Sequence, residues 1–224
     1  TAKKFNTRVK RDGNIITHHL YGYYNNNGEH IGNKVRQTKD KRMWVEGELS
    51  DAVLFGQNIF NQKARYITIC EGEIDAMSAY ELMGSKWPSV SIKTGAAGAL
   101  RDCKEAFDYL DSYDNVVISF DMDKQGQEAA EKVAQLFSPN KCKIMNMEHK
   151  DANEYLKMNQ RESFTQAWWN AKPYTPAGII NLKDLGQTLY EEDYCETCLY
   201  PWSDLNEKTY GIRTGELVTF TSGA

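Results

Sequence analysis

The feature that most constrains the fold is a regular alternation of short apolar runs with longer helix-like stretches from residue 66 onward. The apolar runs are rich in β-branched residues and occupy residues 66–70, 89–93, 115–120 and 141–147. A strand–helix alternation of this kind predicts a parallel sheet covered by helices, because parallel strands need long crossover connections. We therefore predict an α/β fold with a parallel four-stranded sheet at its core. Helices are expected near residues 74–83, 100–110 and 125–137, and a helix near 162–171 should close the core with Trp168 and Trp169.

Acidic side chains follow two of these predicted strands at the point where each strand ends. Glu71, Glu73 and Asp75 come after the first strand, and Asp121 and Asp123 come after the third. The carboxyl ends of parallel strands meet at one edge of a sheet, where ligand sites form. Carboxylates that lie close together resist ionising unless a cation such as Mg²⁺ is bound between them. The pattern predicts a magnesium site, which indicates phosphate chemistry.

The first 50 residues differ from the rest in charge and pattern. They carry ten Lys and Arg against five Asp and Glu, although the whole chain has a formal charge of −4. Residues 18–24 and 29–36, joined by an Asn/Gly turn, predict a β-hairpin. A basic segment beside an acidic metal site suits a polyanionic substrate. The charge alone equally fits a solvated turn at residues 39–42.

Composition excludes several classes of protein. No apolar run approaches the roughly 20 residues needed to span a bilayer, and the first residues lack the apolar core of a signal peptide. The five cysteines form no disulfide framework, so we expect a reducing cytoplasm. Cys195 and Cys198 lack a second ligand pair, and no bound zinc is expected.

Composition shifts predict four segments. Residues 1–60 form a small basic β-rich subdomain, and residues 61–172 form the catalytic α/β domain. Residues 173–200 are a linker with a helix at 182–192. Residues 201–224 are the truncated start of a further domain, in which a buried strand at 217–221 leads into a glycine loop.

Several motifs, taken in order, resemble a known family. The acidic pattern and the strand order resemble a Toprim domain. Residues 71–75, 95–99, 120–123 and 150–154 together resemble the primase half of the bacteriophage T7-type primase–helicases, the lineage that also contains Twinkle-like helicases. Residues 204–223 are similar to the entry into that family's RecA-like helicase domain.

The resemblance implies roles for individual positions. Glu71 matches a catalytic metal ligand and general base, and Asp121 and Asp123 match a catalytic, metal-binding aspartate pair. The other implied positions are a further metal ligand, Asp151; accessory acids, Glu73 and Asp75; cations that hold nucleotide phosphates, Lys34, Arg36 and Lys41; and a loop near the site, Gly95 and Gly98.

The implied activity is that of a DNA primase, which joins NTPs into short RNA primers on a single-stranded DNA template. The resemblance implies Mg²⁺ as cofactor, with Mn²⁺ as an alternative. It implies partners as well: a zinc ribbon in the full-length protein or in trans, a hexameric ring formed through the helicase domain, and the DNA polymerase of the replisome. We expect residues 1–224 alone not to unwind DNA.

Alternatives remain open from the residues themselves. Another Toprim enzyme, a nuclease or a topoisomerase, would use the same acidic cluster. A non-priming scaffold domain of a Twinkle-like helicase would keep the fold without the activity. At single positions, Glu73 and Asp75 also suit a helix N-terminus, Asp151 suits a helix N-cap, and the loop at 95–99 suits a simple tight turn.

Overall fold

A computed structural model describes residues 1–60, 64–175 and 197–222, which fall into two units, Thr1–Ala177 and Gly178–Ala224. The first unit contains an antiparallel sheet followed by a mostly parallel one. No helix within the described ranges is long and apolar enough to cross a membrane.

The N-terminal sheet is a four-stranded meander in which each strand pairs with the next. Its strands are β1 (Arg8–Asp12), β2 (Ile15–Tyr24), β3 (His30–Gln37) and β4 (Met43–Gly47). The β2–β3 pair confirms the predicted hairpin, with Tyr21 opposite Lys34. Side chains alternate between the two faces of a strand, and the face that carries Tyr21 and Tyr23 is buried.

The second sheet confirms the four predicted parallel strands and adds one antiparallel strand at its edge. Its strands are β5 (Tyr66–Cys70), β6 (Ser89–Ser91), β7 (Asn115–Ser119), β8 (Cys142–Ile144) and β9 (Lys172–Pro173), in the order β6-β5-β7-β8-β9. Every residue of β5 is buried, as expected for a parallel strand covered on both faces. The chain moves from β5 to β6 on one side and then crosses to β7 on the other. The order of connection therefore reverses between β5 and β7, which is where α/β sheets form ligand sites.

Six helices accompany this sheet in the described part of the first unit. They are α1 (Glu73–Leu82), α2 (Ala99–Glu105), α3 (Phe107–Asp111), α4 (Lys124–Ala134), α5 (Ala152–Lys157) and α6 (Arg161–Trp169). The single helix predicted near residues 100–110 is wrong in detail, because the chain breaks at Ala106 into α2 and α3. Helix α6 closes the core as predicted, since Trp168 is buried and donates its indole N–H to Thr68 Oγ1 at 2.9 Å. The prediction that Trp169 also lies in the core is wrong, because its side chain is 53% exposed.

The described part of the second unit contains a two-stranded antiparallel sheet and one helix. They are β10 (Thr197–Cys198), β11 (Ile212–Arg213) and α7 (Ser203–Thr209). The predicted buried strand at 217–221 is wrong, since no strand forms there and Leu217 is 94% exposed. A buried strand needs neighbouring strands, and the described residues of this unit offer only the β10–β11 pair. The predicted linker helix at 182–192 lies outside the described residues.

Candidate active site at the carboxyl edge of the parallel sheet

Strands β5 and β7 bring two of the predicted acids, Glu71 and Asp121, to one edge of the sheet. The strands pair in parallel with Cys70 opposite Ser119; Glu71 is the next residue after Cys70, and Asp121 comes two residues after Ser119. Both side chains are partly buried. Glu71 Oε1 accepts a hydrogen bond from the Ala96 amide at 3.3 Å. Glu71 Oε2 is buried and has no hydrogen-bond partner among the described residues.

Burial is the main influence on the protonation of these acids. It raises the pKa of Glu71, and the neighbouring charge of Asp121 raises it further. Burial also raises the pKa of Asp121, although the Lys150 ammonium opposes this shift. The charges of Asp151 and Asp123 add to the raised pKa of Asp121, because like charges at close range disfavour ionisation.

Asp123 and Lys150 form the exposed side of this edge. The Lys150 ammonium lies 3.1 Å from Asp121 Oδ2 and 3.8 Å from Asp123 Oδ2. Asp123 also caps α4, because its Oδ1 accepts from the Gly126 amide at 2.9 Å. Hydrogen bonding to Asp121 raises the pKa of Lys150. Lys150 therefore supplies positive charge between two carboxylates.

Glu73 lies two residues after Glu71 but has a different environment. It is 4% exposed, and its Oε1 accepts from Tyr23 Oη and from Lys34 Nζ, each at 2.7 Å. Lys34 Nζ also donates to the Lys93 carbonyl at 3.0 Å. A buried ion pair with additional hydrogen bonds satisfies both charges. Glu73 thus joins the N-terminal sheet to helix α1, and Lys34 is already engaged by protein groups.

Asp75 and Asp151 form a second acidic pair beside the first. Asp75 Oδ1 accepts from the Asn153 amide at 3.2 Å, and Asp151 caps α5 by accepting from the Glu154 amide at 2.8 Å. Burial raises the pKa of Asp75 to about 7, and the charge of Asp151 adds to the shift. Arg36, on the N-terminal sheet, partly offsets it.

The loop after β6 approaches Glu71. Gly95 has φ +70°, in the region that favours glycine, and it precedes a 3₁₀ turn at Ala96–Gly98. A Cβ on Gly98 would lie 1.8 Å from Thr94 Oγ1, so only glycine allows this packing. The two glycines let the loop present the Ala96 amide to Glu71.

A cleft of about 510 Å³ lies between the N-terminal sheet and helices α1 and α5. Arg36 of β3 and Lys41 of the β3–β4 connection line it on one side, and Met77 and Leu156 line it from the helices. The predicted cations are therefore divided. Arg36 and Lys41 face the cleft, while Lys34 pairs with Glu73. Glu71, Asp121 and Asp123 do not line this cleft.

The chemistry of the donors fits a hard divalent cation. Glu71 Oε2 is a buried oxygen with no hydrogen-bond partner among the described residues, and its neighbours are further carboxylate oxygens, which Mg²⁺ prefers. No group of three acidic, His or Cys side chains in residues 1–60, 64–175 and 197–222 is drawn together as a preformed metal site. The acids are thus near enough to affect one another's pKa but are not arranged as a closed cage.

Sequence reasoning missed two contributors to this site. Lys150 precedes the predicted Asp151, but no pattern distinguished it from other surface lysines. Asp102 is fully buried in α2 and contacts Lys93 and Thr94. No sequence signal connects Asp102 to the site, because the contact depends on how α2 packs.

The chain is similar in sequence and fold to several known proteins. Residues 68–156 match a family described as Toprim-like. The chain is 34% identical over 206 residues to a DNA helicase/primase of Enterobacteria phage T3, covering 90% of this chain and 36% of that protein. The chain therefore spans about a third of the length of this relative.

Two solved structures from bacteriophage T7 are also similar. One is a structure of a complex, in which the T7 lagging-strand DNA polymerase interacts with primase domains of two gp4 subunits bound to an RNA/DNA hybrid and dTTP. It matches with a TM-score of 0.69 and 32% identity, over 77% of this chain and 87% of that one. The other is the primase fragment of the T7 primase-helicase protein, with a TM-score of 0.66 and 31% identity, over 75% of this chain and 69% of that one.

Proposed function

Since this chain belongs to the family of phage T7-type primase–helicases, we propose that its first unit is a DNA primase domain that makes short RNA primers from NTPs. The observation that carries the proposal is the meeting of Glu71 and Asp121 at the switch point between β5 and β7, with Glu71 Oε2 buried and without a hydrogen-bond partner among the described residues. Nucleotidyl transfer needs a site of this kind, because its main demands are positioning and charge compensation.

In the proposed reaction, the 3′-hydroxyl of one nucleotide attacks the α-phosphorus of the next. The bond from that phosphorus to the bridging oxygen breaks, and pyrophosphate leaves. In this proposal Glu71 accepts the hydroxyl proton as the general base. Mg²⁺ or Mn²⁺, when bound, neutralises phosphate charge and lowers the pKa of the attacking hydroxyl.

The remaining residues have supporting parts in this proposal. Asp121 and Asp123 hold the metal with Glu71, and Asp151 adds a further carboxylate. Arg36 and Lys41 offset triphosphate charge from the cleft wall. Lys34 is paired with Glu73, and its part is to hold the N-terminal sheet against helix α1. We further propose that the whole protein uses single-stranded DNA as template, with a zinc ribbon, a helicase ring and a DNA polymerase as partners.

The test is oligoribonucleotide synthesis on single-stranded DNA with Mg²⁺ and labelled NTPs, with and without a zinc-ribbon fragment in trans. The double variant Asp121→Ala/Asp123→Ala is compared with a control that changes two exposed acids elsewhere, Asp108→Ala/Asp114→Ala. We expect di- and trinucleotides from the wild type and the control, and none from the first variant.

Other outcomes identify the alternatives. Metal-dependent cleavage of the template without synthesis would indicate a Toprim nuclease. Neither synthesis nor cleavage, even with the ribbon present, would indicate a scaffold domain. Synthesis that survives in the Asp121→Ala/Asp123→Ala variant would place the reaction elsewhere in the molecule.

A further inference from the structure

Asp102, in helix α2, is a buried carboxylate outside the acidic cluster. It is 0% exposed, and its Oδ2 accepts hydrogen bonds from three donors. These are the Lys93 amide at 2.7 Å, the Thr94 amide at 2.9 Å and Thr94 Oγ1 at 2.9 Å. A buried carboxylate is costly unless it is hydrogen-bonded, so these contacts stabilise its position. They tie α2 to the segment that follows β6.

This segment leads directly to the backbone group that contacts Glu71. Only Gly95 separates Thr94 from Ala96, and the Ala96 amide donates to Glu71 Oε1 at 3.3 Å. Gly95 adopts φ +70°, which glycine tolerates because it has no Cβ. Because glycine does not restrict this turn by itself, the place where Thr94 is held decides where the Ala96 N–H points.

The same segment is held from its other side. The Lys93 carbonyl accepts from Lys34 Nζ at 3.0 Å, and Lys34 Nζ is paired with Glu73 Oε1 at 2.7 Å. Lys93 is thus fixed by two buried carboxylates, Asp102 through its amide and Glu73 through Lys34. The contact from Lys34 reaches only Lys93, whereas Asp102 also holds Thr94, one residue closer to Ala96.

We propose that Asp102 is a positioning residue for Glu71: through Lys93 and Thr94 it sets the Ala96 amide that orients the Glu71 carboxylate for metal binding. The inference rests on the proposed function, in which Glu71 holds the metal. Because Asp102 acts through Lys93, Thr94 and the Ala96 amide, this role requires no contact between Asp102 and the substrate. Partners of this kind, which orient a ligand without touching the metal, typically change metal affinity about 10- to 100-fold when removed.

The variants separate this role from simple stabilisation. Asp102→Ala removes the three hydrogen bonds to Oδ2 and also the contact of Oδ1 with the Arg101 guanidinium at 3.4 Å, and Asp102→Asn keeps an acceptor oxygen without the charge. Thr94→Val removes one donor and serves if Asp102→Ala fails to fold. The matched control is Glu105→Gln on the same helix. Glu105 pairs with the Lys93 ammonium at 2.7 Å but is half exposed and does not contact the loop backbone.

The readouts are the dissociation constant of Mn²⁺, measured by electron paramagnetic resonance, and hydrogen exchange of the Ala96 amide, measured by NMR. Both measurements are carried out well below the unfolding temperature of each variant. We expect Asp102→Ala to weaken Mn²⁺ binding about tenfold and to speed Ala96 exchange. Asp102→Asn and Thr94→Val should give smaller shifts of the same sign, and Glu105→Gln should behave as wild type.

The inference is overturned if the Asp102 and Thr94 variants bind Mn²⁺ as the control does, even where their unfolding temperature falls. Absence of Mn²⁺ binding to the wild-type chain would also overturn it. A different result separates the two proposals. If the wild type binds Mn²⁺ and the variants weaken binding in the expected order, but the wild type makes no primer, the inference stands and the proposed primase activity is rejected.

Discussion

The two strand-to-helix junctions that form the candidate site are built differently. At the β5–α1 junction, Glu73 is buried and joined to Tyr23 and Lys34 of the N-terminal sheet. At the β7–α4 junction, Asp123 is exposed, and the paired lysine, Lys150, is exposed as well. One junction is held by the protein interior, whereas the other depends on groups that solvent and ligands can reach.

This difference separates acids that hold the fold from acids that are available for chemistry. The carboxylates of Glu73 and Asp102 accept two and three hydrogen bonds at a single oxygen. Glu71 retains a buried oxygen without a partner in the described part of the chain. A satisfied buried carboxylate contributes to stability, while an unsatisfied one is costly until a ligand binds. Proximity in sequence therefore does not indicate a shared role.

The largest expected effect concerns Glu71. Glu71→Gln should lower primer synthesis by about 100-fold or more, because it removes both the base and a metal-binding charge. The unfolding temperature of the variant should equal or exceed that of the wild type. The substitution removes a partly buried charge whose Oε2 atom has no hydrogen-bond partner among the described residues. Steady-state synthesis and thermal unfolding measure the two quantities. Activity within about twofold of wild type would remove Glu71 from the mechanism.

Glu73 should show the opposite behaviour. Glu73→Ala should lower the free energy of unfolding by about 3 kcal/mol, because it leaves the Lys34 ammonium without its partner in a nearly buried site. The matched control, Glu105→Ala, breaks a half-exposed pair with Lys93 and should cost less than about 1 kcal/mol. Chemical denaturation checks both. Equal losses in the two variants would show that the buried pair does not hold the junction.

Asp75 should make stability depend on pH. Its pKa is raised from 3.8 to about 7, so the folded chain binds this proton more tightly than the unfolded chain. The contribution of Asp75 to stability therefore falls as pH rises from about 4 to about 7. Asp75→Asn should be more stable than wild type at pH 8 by on the order of 4 kcal/mol, since each unit of the pKa shift corresponds to about 1.4 kcal/mol, and nearly equal to it at pH 4.

The measurement is urea denaturation across this pH range with a chelator present, so that metal binding does not interfere. Asp108→Asn, a change at an exposed acid, is the control and should leave the pH profile unaltered. A stability difference between Asp75→Asn and wild type that stays constant with pH would contradict the assigned titration.

The smallest expected effect concerns Lys150. Lys150→Ala removes an exposed ion pair, so it should change the free energy of unfolding by less than about 1 kcal/mol. It also removes a cation that competes for Asp121 and Asp123, so Mn²⁺ should bind slightly more tightly, by less than about fivefold. Titration calorimetry measures this change. Weaker Mn²⁺ binding would show instead that Lys150 organises the carboxylates.

Much of the parallel sheet was readable from the sequence, because each strand is a short apolar run followed by a turn and a helix-like stretch. The placement of Glu71 and Asp121 at one edge followed from the same pattern. The strand predicted at 217–221 was wrong, since apolar composition alone does not supply a partner strand. The split between α2 and α3 was also missed, as no glycine or proline marks Ala106.

The sequence by itself determined the alternation of strands and helices, the edge at which the acids collect and the family to which the motifs belong. These depend on local pattern, which neighbouring residues specify. Only the tertiary structure decided that Glu73 joins Lys34, and that Asp102 reaches the loop that contacts Glu71. Such contacts join residues from separate elements, and whether a carboxylate is satisfied depends on which donors that packing brings to it.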